Sequence, residues 1–373
     1  MRHSIVPAPI ASLPWGMILP LTALVIFGAS VLYSAAGGHM QPYAQSHLIR
    51  FGVFLIMAFA MTRVTPDLVK FIAYPGYVAV LVLLILVEAL GAIGGGSQRW
   101  LNIGPLVLQP SEFMKPGIVL VLARFYSNLP ANMVGDWRAL IPAGGMVAMP
   151  MALVLMQPDL GTALAIAFGA GVVMFLAGLP MRWFAGGGVA AMVMIPLAYF
   201  FGLKDYQRRR VTTFLDPESD PLGAGYHITQ SKIAIGSGGL TGKGFGHGSQ
   251  SHLNYLPEPH TDFVFATMAE EWGLLGGLFV LAIFAIVLRW GMGVAERAPD
   301  RFSRLLAAGM VATIFFYVAI NLMMVMGLAP VVGIPLPFMS HGGSSMLTNM
   351  ICIGTLMMID RWSRTRGRSG LSS

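Results

Sequence analysis

The stretch at residues 71–93, FIAYPGYVAVLVLLILVEALGAI, decides the fold class. From Val78 to Val87 it is apolar on every side, without the apolar and polar alternation that a strand of a membrane barrel requires. A run of this length crosses a hydrocarbon core of roughly 30 Å as a helix, and a helix satisfies its own backbone polar groups in lipid. Comparable runs recur on both sides of it, at about 17–36, 48–65, 112–126, 139–156, 161–177, 183–202, 262–288, 305–326 and 345–359. The pattern predicts an all-α integral membrane protein, a bundle of about ten transmembrane helices in a single domain over 1–373.

Composition agrees with that reading. Of 373 residues, 56% are apolar and 10% charged, against roughly 25% charged in a soluble domain, which excludes an ordinary water-soluble fold. The one cysteine, Cys352, falls in the last apolar run, so an intramolecular disulfide and a thiolate metal site are both excluded and it reads as a packing residue. Residues 1–12 carry no small-residue cleavage signal, so the first run reads as a retained span.

Short loops on the cytoplasmic side keep their basic residues. With the N-terminus inside, the inner segments hold Arg63, Lys70, Arg124, Arg138, Arg182, Arg289, Arg297, Arg301, Arg304 and Arg361, whereas the short outer segments hold Arg50, Arg99 and Lys115. Both termini are therefore expected in the cytoplasm. The net charge of +7 is mostly this topology signal and calls for no nucleic-acid partner. One connection is long: residues 203–261 are expected as a large extracytoplasmic loop that folds back over the outer face with short helices and tight turns. Its glycines between Gly236 and Gly248 lack the preceding strand and the GK[ST] of a phosphate loop, and His247, His252 and His260 lack the spacing of a zinc site.

Four outer-face stretches carry chemistry. In LPEPHTDFVFATMAEEWG, residues 256–273, Thr261 is a plausible N-cap that puts Asp262 in the first turn of a membrane helix, where the helix dipole favours the ionised carboxylate. A carboxylate there is a candidate general base for a sugar hydroxyl, or simply a favourable helix-start charge. In QRWLNIGPLVLQPSEFMK, residues 98–115, Glu112 and Lys115 share a helix face, to form an ion pair or to offer a cation to a phosphate. Arg99 and Trp100 there supply a second cation and an aromatic edge, or anchor the interface. In FMSHGGSSML, residues 338–347, Ser344 and Ser345 can donate to anionic oxygens or cap a helix. In QPDLGT, residues 157–162, Asp159 caps the next span or completes an acidic wall.

Taken together, RWLNIG, QPSEFMK, QPDLGTA, YQRRRVTTFLDPESDPLGAGYHITQSKIAIGSGGLTGKG (206–244), LPEPHTDFVFATMAEE and MSHGGSS resemble the SEDS family of shape, elongation, division and sporulation proteins, over about 21–361. The QRRRV and LDPESDPLGAGYHITQ wording resembles its RodA branch more than its division counterpart, FtsW. Two positions depart from the family pattern: His341, where a tyrosine is usual, and Pro116, where an aliphatic residue is usual.

The resemblance implies a peptidoglycan glycosyltransferase that polymerises lipid II into β-1,4 glycan strands on the outer face of the bacterial cytoplasmic membrane, for cell elongation and rod shape. It places the essential aspartate on Asp262, which would deprotonate the acceptor 4-hydroxyl for inverting attack, with undecaprenyl pyrophosphate leaving. Lys115, Arg208, Arg210 and Lys243 are then the outer-face cations for that pyrophosphate. A divalent ion, Mg²⁺ or Mn²⁺, can share the task, although the sequence shows no dedicated metal site. The implied partner is a class B penicillin-binding protein, the crosslinking transpeptidase, besides the membrane lipids. A lipid II flippase is the rival reading; it would need polar groups through the inner half of the membrane, not a cluster at one face. A non-enzymatic scaffold is a third.

Overall fold

Runs that are apolar all round can face lipid and neighbouring helices alike, and each of the ten runs forms a helix in the computed structural model of the chain. The structure describes residues 13–90, 92–94, 97–103, 106–202, 208, 212, 224–253, 255, 256 and 258–369. The first three helices are α1 (Trp15–Ala35), α2 (Tyr43–Met61) and α3 (Pro66–Leu90). They are followed by α4 (Pro110–Ser127), α5 (Trp137–Met156), α6 (Leu160–Leu176) and α7 (Met181–Leu197). The long loop contributes α8 (Ala224–Ser237) and the single turn α9 (Ser249–His252), before α10 (Val264–Arg297), α11 (Arg301–Val325) and α12 (Gly343–Ser369) complete the bundle.

Seven of these helices are long and apolar enough to cross a membrane by length and composition alone, and α6 is a shorter apolar helix. The other two, α4 and α12, dilute their hydropathy with polar side chains that are buried in protein: Glu112 and Lys115 on α4, and Ser344, Ser345, Thr348 and Asn349 on α12. Intramembrane polar groups persist where a bundle interior supplies partners. Accordingly α4 packs among α3, α6 and α11, and α12 against α2 and α11. The most enclosed of the candidate spans is α11, whereas α7 turns Val189, Met192 and Val193 outward and buries none of its apolar window.

Two local features depart from a purely helical plan. Residues 92–108 form a small antiparallel meander, β1 (Ala92–Gly94), β2 (Ser97–Ile103) and β3 (Leu106–Leu108), in the order β1-β2-β3. Ala92 pairs with Trp100 and Leu101 with Leu108, so Arg99–Ile103 of the RWLNIG motif lie on the central strand of a sheet. The second feature is a break in α10. At Gly273 the backbone takes φ 62° and ψ −156°, which interrupts the helix.

The glycine-rich part of the long loop threads into that break. Lys243 N donates to Glu270 O at 2.9 Å and Gly244 N to Glu271 O at 3.1 Å, while Leu274 N and Leu275 N donate to Gly239 O and Leu240 O at 3.0 and 3.2 Å. Backbone groups freed inside a membrane protein must find such partners. The approach is so close that a Cβ on Gly242, whose φ is 81°, would stand 2.0 Å from Glu271 O. These glycines therefore build a strap across a broken helix. Residues 203–207, 209–211 and 213–223 of the loop lie outside the described residues.

Gly242→Ala is expected to cost at least about 2 kcal/mol, from the left-handed backbone and the clash together. Gly236→Ala, where an added Cβ meets nothing within 4 Å, is the control. The melting temperatures of the two purified variants check this; equal melting would refute the strap.

Candidate active site around Asp262

The approach to α10 is held along its length. Thr267 Oγ1 donates to Pro259 O at 3.3 Å, His341 N to His260 O at 2.8 Å, Ser340 Oγ to Thr261 O at 2.6 Å, and Asn321 Nδ2 to Asp262 O at 2.9 Å. Four consecutive carbonyls thus each accept a bond. The donors come from α10, from the loop before α12, and from the fully buried Asn321 of α11, which also donates to Ile334 O at 2.7 Å. Ser340 is itself oriented by Leu336 N at 2.8 Å.

This geometry corrects the expectation that Thr261 caps the helix with Asp262 in its first turn. The helix begins at Val264, with Phe263 in the cap position. Thr261 is otherwise engaged: its amide donates to Glu258 O at 3.1 Å and its hydroxyl to Glu258 Oε2 at 3.2 Å. Asp262 stands in the preceding turn, partly exposed, with Oδ2 beside Gly333, 3.6 Å from where a Cβ would sit. Its environment also reverses the expected sign, because burial and then the neighbouring Glu258 charge push the carboxyl up to about 6. Desolvation outweighs the helix dipole here. At neutral pH such a group is largely ionised and yet a much better proton acceptor than an ordinary aspartate.

Of the alternatives open for Glu112 and Lys115, the structure shows the ion pair, with Nζ and Oε1 at 2.5 Å. Tyr317 of α11 closes the cluster: Lys115 Nζ donates to its hydroxyl at 2.7 Å and lies 4.3 Å from its ring centroid, while that hydroxyl donates to the other Glu112 oxygen. Lys115 is only 1% exposed, so its ammonium points into the bundle and not toward the long loop. Tyr317 and Asn321 stand four residues apart on α11, one turn, which ties this cluster to the turn bearing Asp262.

The other cations are also engaged. Arg99 donates to the carbonyls of Gln157, at 2.9 Å, and Pro158, and lies 4.0 Å from Asp159. Asp159 caps α6 through Thr162 N and Thr162 Oγ1, both at 3.0 Å, and accepts from Gln109 Nε2 at 3.3 Å. Trp100 is half-buried in the sheet. Lys243 binds Glu270 at 2.6 Å and Ser249 at 2.7 Å, and the fully buried Glu270 also accepts from Gln250 N at 3.1 Å. Arg208 donates to Phe200 O at 2.9 Å, and Arg210 lies outside the described residues. Ser344 and Ser345 are buried in the first turn of α12; Ser345 Oγ accepts from Asn349 at 3.5 Å, and the Ser344 hydroxyl has no hydrogen-bond partner among the described residues. Among the described residues no three His, Cys, Asp or Glu side chains gather as a metal site.

Sequence reasoning gave no role to Asn321, Tyr317 or Ser340, while His341 was noted only as a departure from the family pattern. The signal was present for two of them, since Tyr317 and Asn321 are polar residues at helical spacing inside an otherwise apolar span.

The family model for the cell cycle proteins FTSW_RODA_SPOVE matches residues 11–365. The peptidoglycan glycosyltransferase MrdB of Escherichia coli (strain K12) is 43% identical over 345 residues, covering 92% of either chain. Among solved structures, a chain from the work "Structural coordination of polymerization and crosslinking by a peptidoglycan synthase complex" is similar with a TM-score of 0.83 at 32% identity, covering 94% of this chain and 98% of that one. The rod shape determining protein RodA of Thermus thermophilus gives a TM-score of 0.71 at 29% identity, covering 94% and 97%.

Removing one member of a buried ion pair strands the other. Lys115→Met should therefore destabilise the protein by about 3–5 kcal/mol, and the double variant Glu112→Gln, Lys115→Met should recover much of that loss. Thermal melting of the three proteins checks this; an unchanged melting temperature for Lys115→Met would show that the pair contributes nothing.

Proposed function

The chain belongs to the FTSW_RODA_SPOVE family of cell cycle proteins, and from that premise we propose that Asp262 is the general base of its glycan-polymerising site. The protein is a multi-pass membrane protein and a peptidoglycan glycosyltransferase. In the proposed reaction Asp262 takes the proton of the acceptor's 4-hydroxyl as that oxygen attacks the anomeric carbon of lipid II. The new bond is β-1,4, the donor carbon inverts, and undecaprenyl pyrophosphate departs with the bonding electron pair.

One observation carries this reading: a partly exposed carboxylate, raised to about 6, on a turn whose four carbonyls are all bonded. The raised value supplies basicity near the working pH, and the bonded turn supplies position.

The site is assigned to the outer face of the cytoplasmic membrane, with both termini inside, on the distribution of arginines. Similarity to MrdB and to the Thermus RodA supports the elongation branch over the division one. Similarity to a chain of a synthase complex that joins polymerization to crosslinking supports a class B penicillin-binding protein as the partner.

Asp262→Asn keeps the size of the side chain and removes its basicity, so purified variant given labelled lipid II with the transpeptidase should make no glycan polymer while melting normally. Asp262→Glu shifts the carboxylate by about 1 Å and should lose about a hundredfold in rate. The reactive form is the ionised carboxylate, so the wild-type rate should fall as pH drops through about 6. Near-normal polymer from Asp262→Asn, or an acid limb near the ordinary aspartate value of about 4, would contradict the assignment.

A further inference from the structure

The departing pyrophosphate concentrates negative charge near Asp262, and three of the described cations at this end of the bundle already serve carboxylates. Lys115 is held by Glu112, Lys243 by Glu270, and Arg99 by the turn that contains Asp159. Arg50 differs. It projects from α2, and its partner among the described residues is an imidazole: its Nη1 lies 3.3 Å from His341 Nε2. Burial and then the Arg50 charge itself hold that imidazole down to about 4, so His341 is neutral at physiological pH and leaves the guanidinium charge uncompensated.

The surroundings of Arg50 suit an anion. Its guanidinium lies against Gly343, where an added Cβ would stand 3.5 Å from Cζ, and Gly343 opens the 27-residue helix α12. The first amides of such a helix have no intrahelical acceptor and carry the positive end of its dipole. Beside them the Ser344 hydroxyl, in a side chain more than nine-tenths buried, has no hydrogen-bond partner among the described residues. A planar guanidinium fork, a hydroxyl and helix N–H groups are the donor set that phosphate oxygens take.

The position is also right. His341, the partner of Arg50, donates its backbone N–H to His260 O at 2.8 Å, and Tyr43 of α2 stacks on the His260 ring at 4.0 Å, two residues before Asp262. We propose that Arg50, with the Ser344 hydroxyl and the first turn of α12, binds the pyrophosphate of the lipid-linked donor beside Asp262. The assignment rests on the glycosyltransferase reading and deepens it: it moves the leaving-group contact from Lys115 and Lys243, which are paired, to an arginine that the charge distribution of the loops leaves without a role.

A footprint on the intact wild-type chain tests it. Phenylglyoxal modification of Arg50 is followed by mass spectrometry, with exposed Arg289 on α10 as the internal control, in the presence of farnesyl pyrophosphate, farnesol or inorganic pyrophosphate. Farnesyl pyrophosphate should slow modification of Arg50 by about tenfold or more, the scale of a charge-assisted contact. Farnesol should not, and Arg289 should be modified equally throughout. Arg50→Gln should bind farnesyl pyrophosphate about tenfold more weakly. Unchanged modification of Arg50 with farnesyl pyrophosphate overturns the proposal. Equal protection by inorganic pyrophosphate at equal concentration overturns the lipid-linked part of it. The readout needs no turnover, so a wild type that makes no polymer from lipid II would sink the glycosyltransferase reading and leave the footprint to stand or fall separately.

Discussion

A backbone carbonyl that loses water and finds no donor costs several kcal/mol in a membrane-embedded bundle, and the turn at Pro259–Asp262 presents four of them in succession. Each is met by a donor from elsewhere in the chain: Thr267, the amide of His341, Ser340 and Asn321. Three separate elements must therefore be in register before Asp262 has a defined place. The carboxylate proposed as the general base is held through its backbone, which leaves its side chain to respond to its surroundings. Burial, and then the Glu258 charge, raise its proton affinity.

The remainder of this end of the bundle follows the same economy of partners. Where α10 breaks at Gly273, the strap from the long loop replaces the lost helical bonds. Glu270, fully buried at that break, gathers Lys243, Ser249 and the amide of Gln250, so the strap is fastened by side chains as well as by backbone. Deeper in the bundle, Glu112, Lys115 and Tyr317 satisfy one another. With Lys115, Lys243 and Arg99 engaged in this way, Arg50, set against the His341 imidazole, is the cation to which we assign the pyrophosphate.

What was legible in the sequence was whatever depends on local composition. All ten long helices could be read because each is an apolar run bounded by turns or charges, and the Glu112–Lys115 pair because the two residues are one helical turn apart. The break in α10 was not legible: EEWGLLGG reads as uninterrupted helix until the strap, some thirty residues earlier in sequence, is placed against it. The same holds for Thr261, a good N-cap by residue type whose hydroxyl goes to Glu258 instead. Asn321 and Arg50 were passed over for a related reason. Their importance lies in contacts with His341, Ile334 and Asp262, which only the folded chain brings to them.

The central claim is that the bonded turn holds Asp262 where burial, and then the Glu258 charge, give it an unusually high proton affinity. Its most direct test is a carbon-13 NMR titration of the full chain labelled at the aspartate carboxyls, with Asp262→Asn to identify the resonance. The account predicts that the Asp262 signal titrates at about 6. Titration near the ordinary aspartate value of about 4 would contradict it.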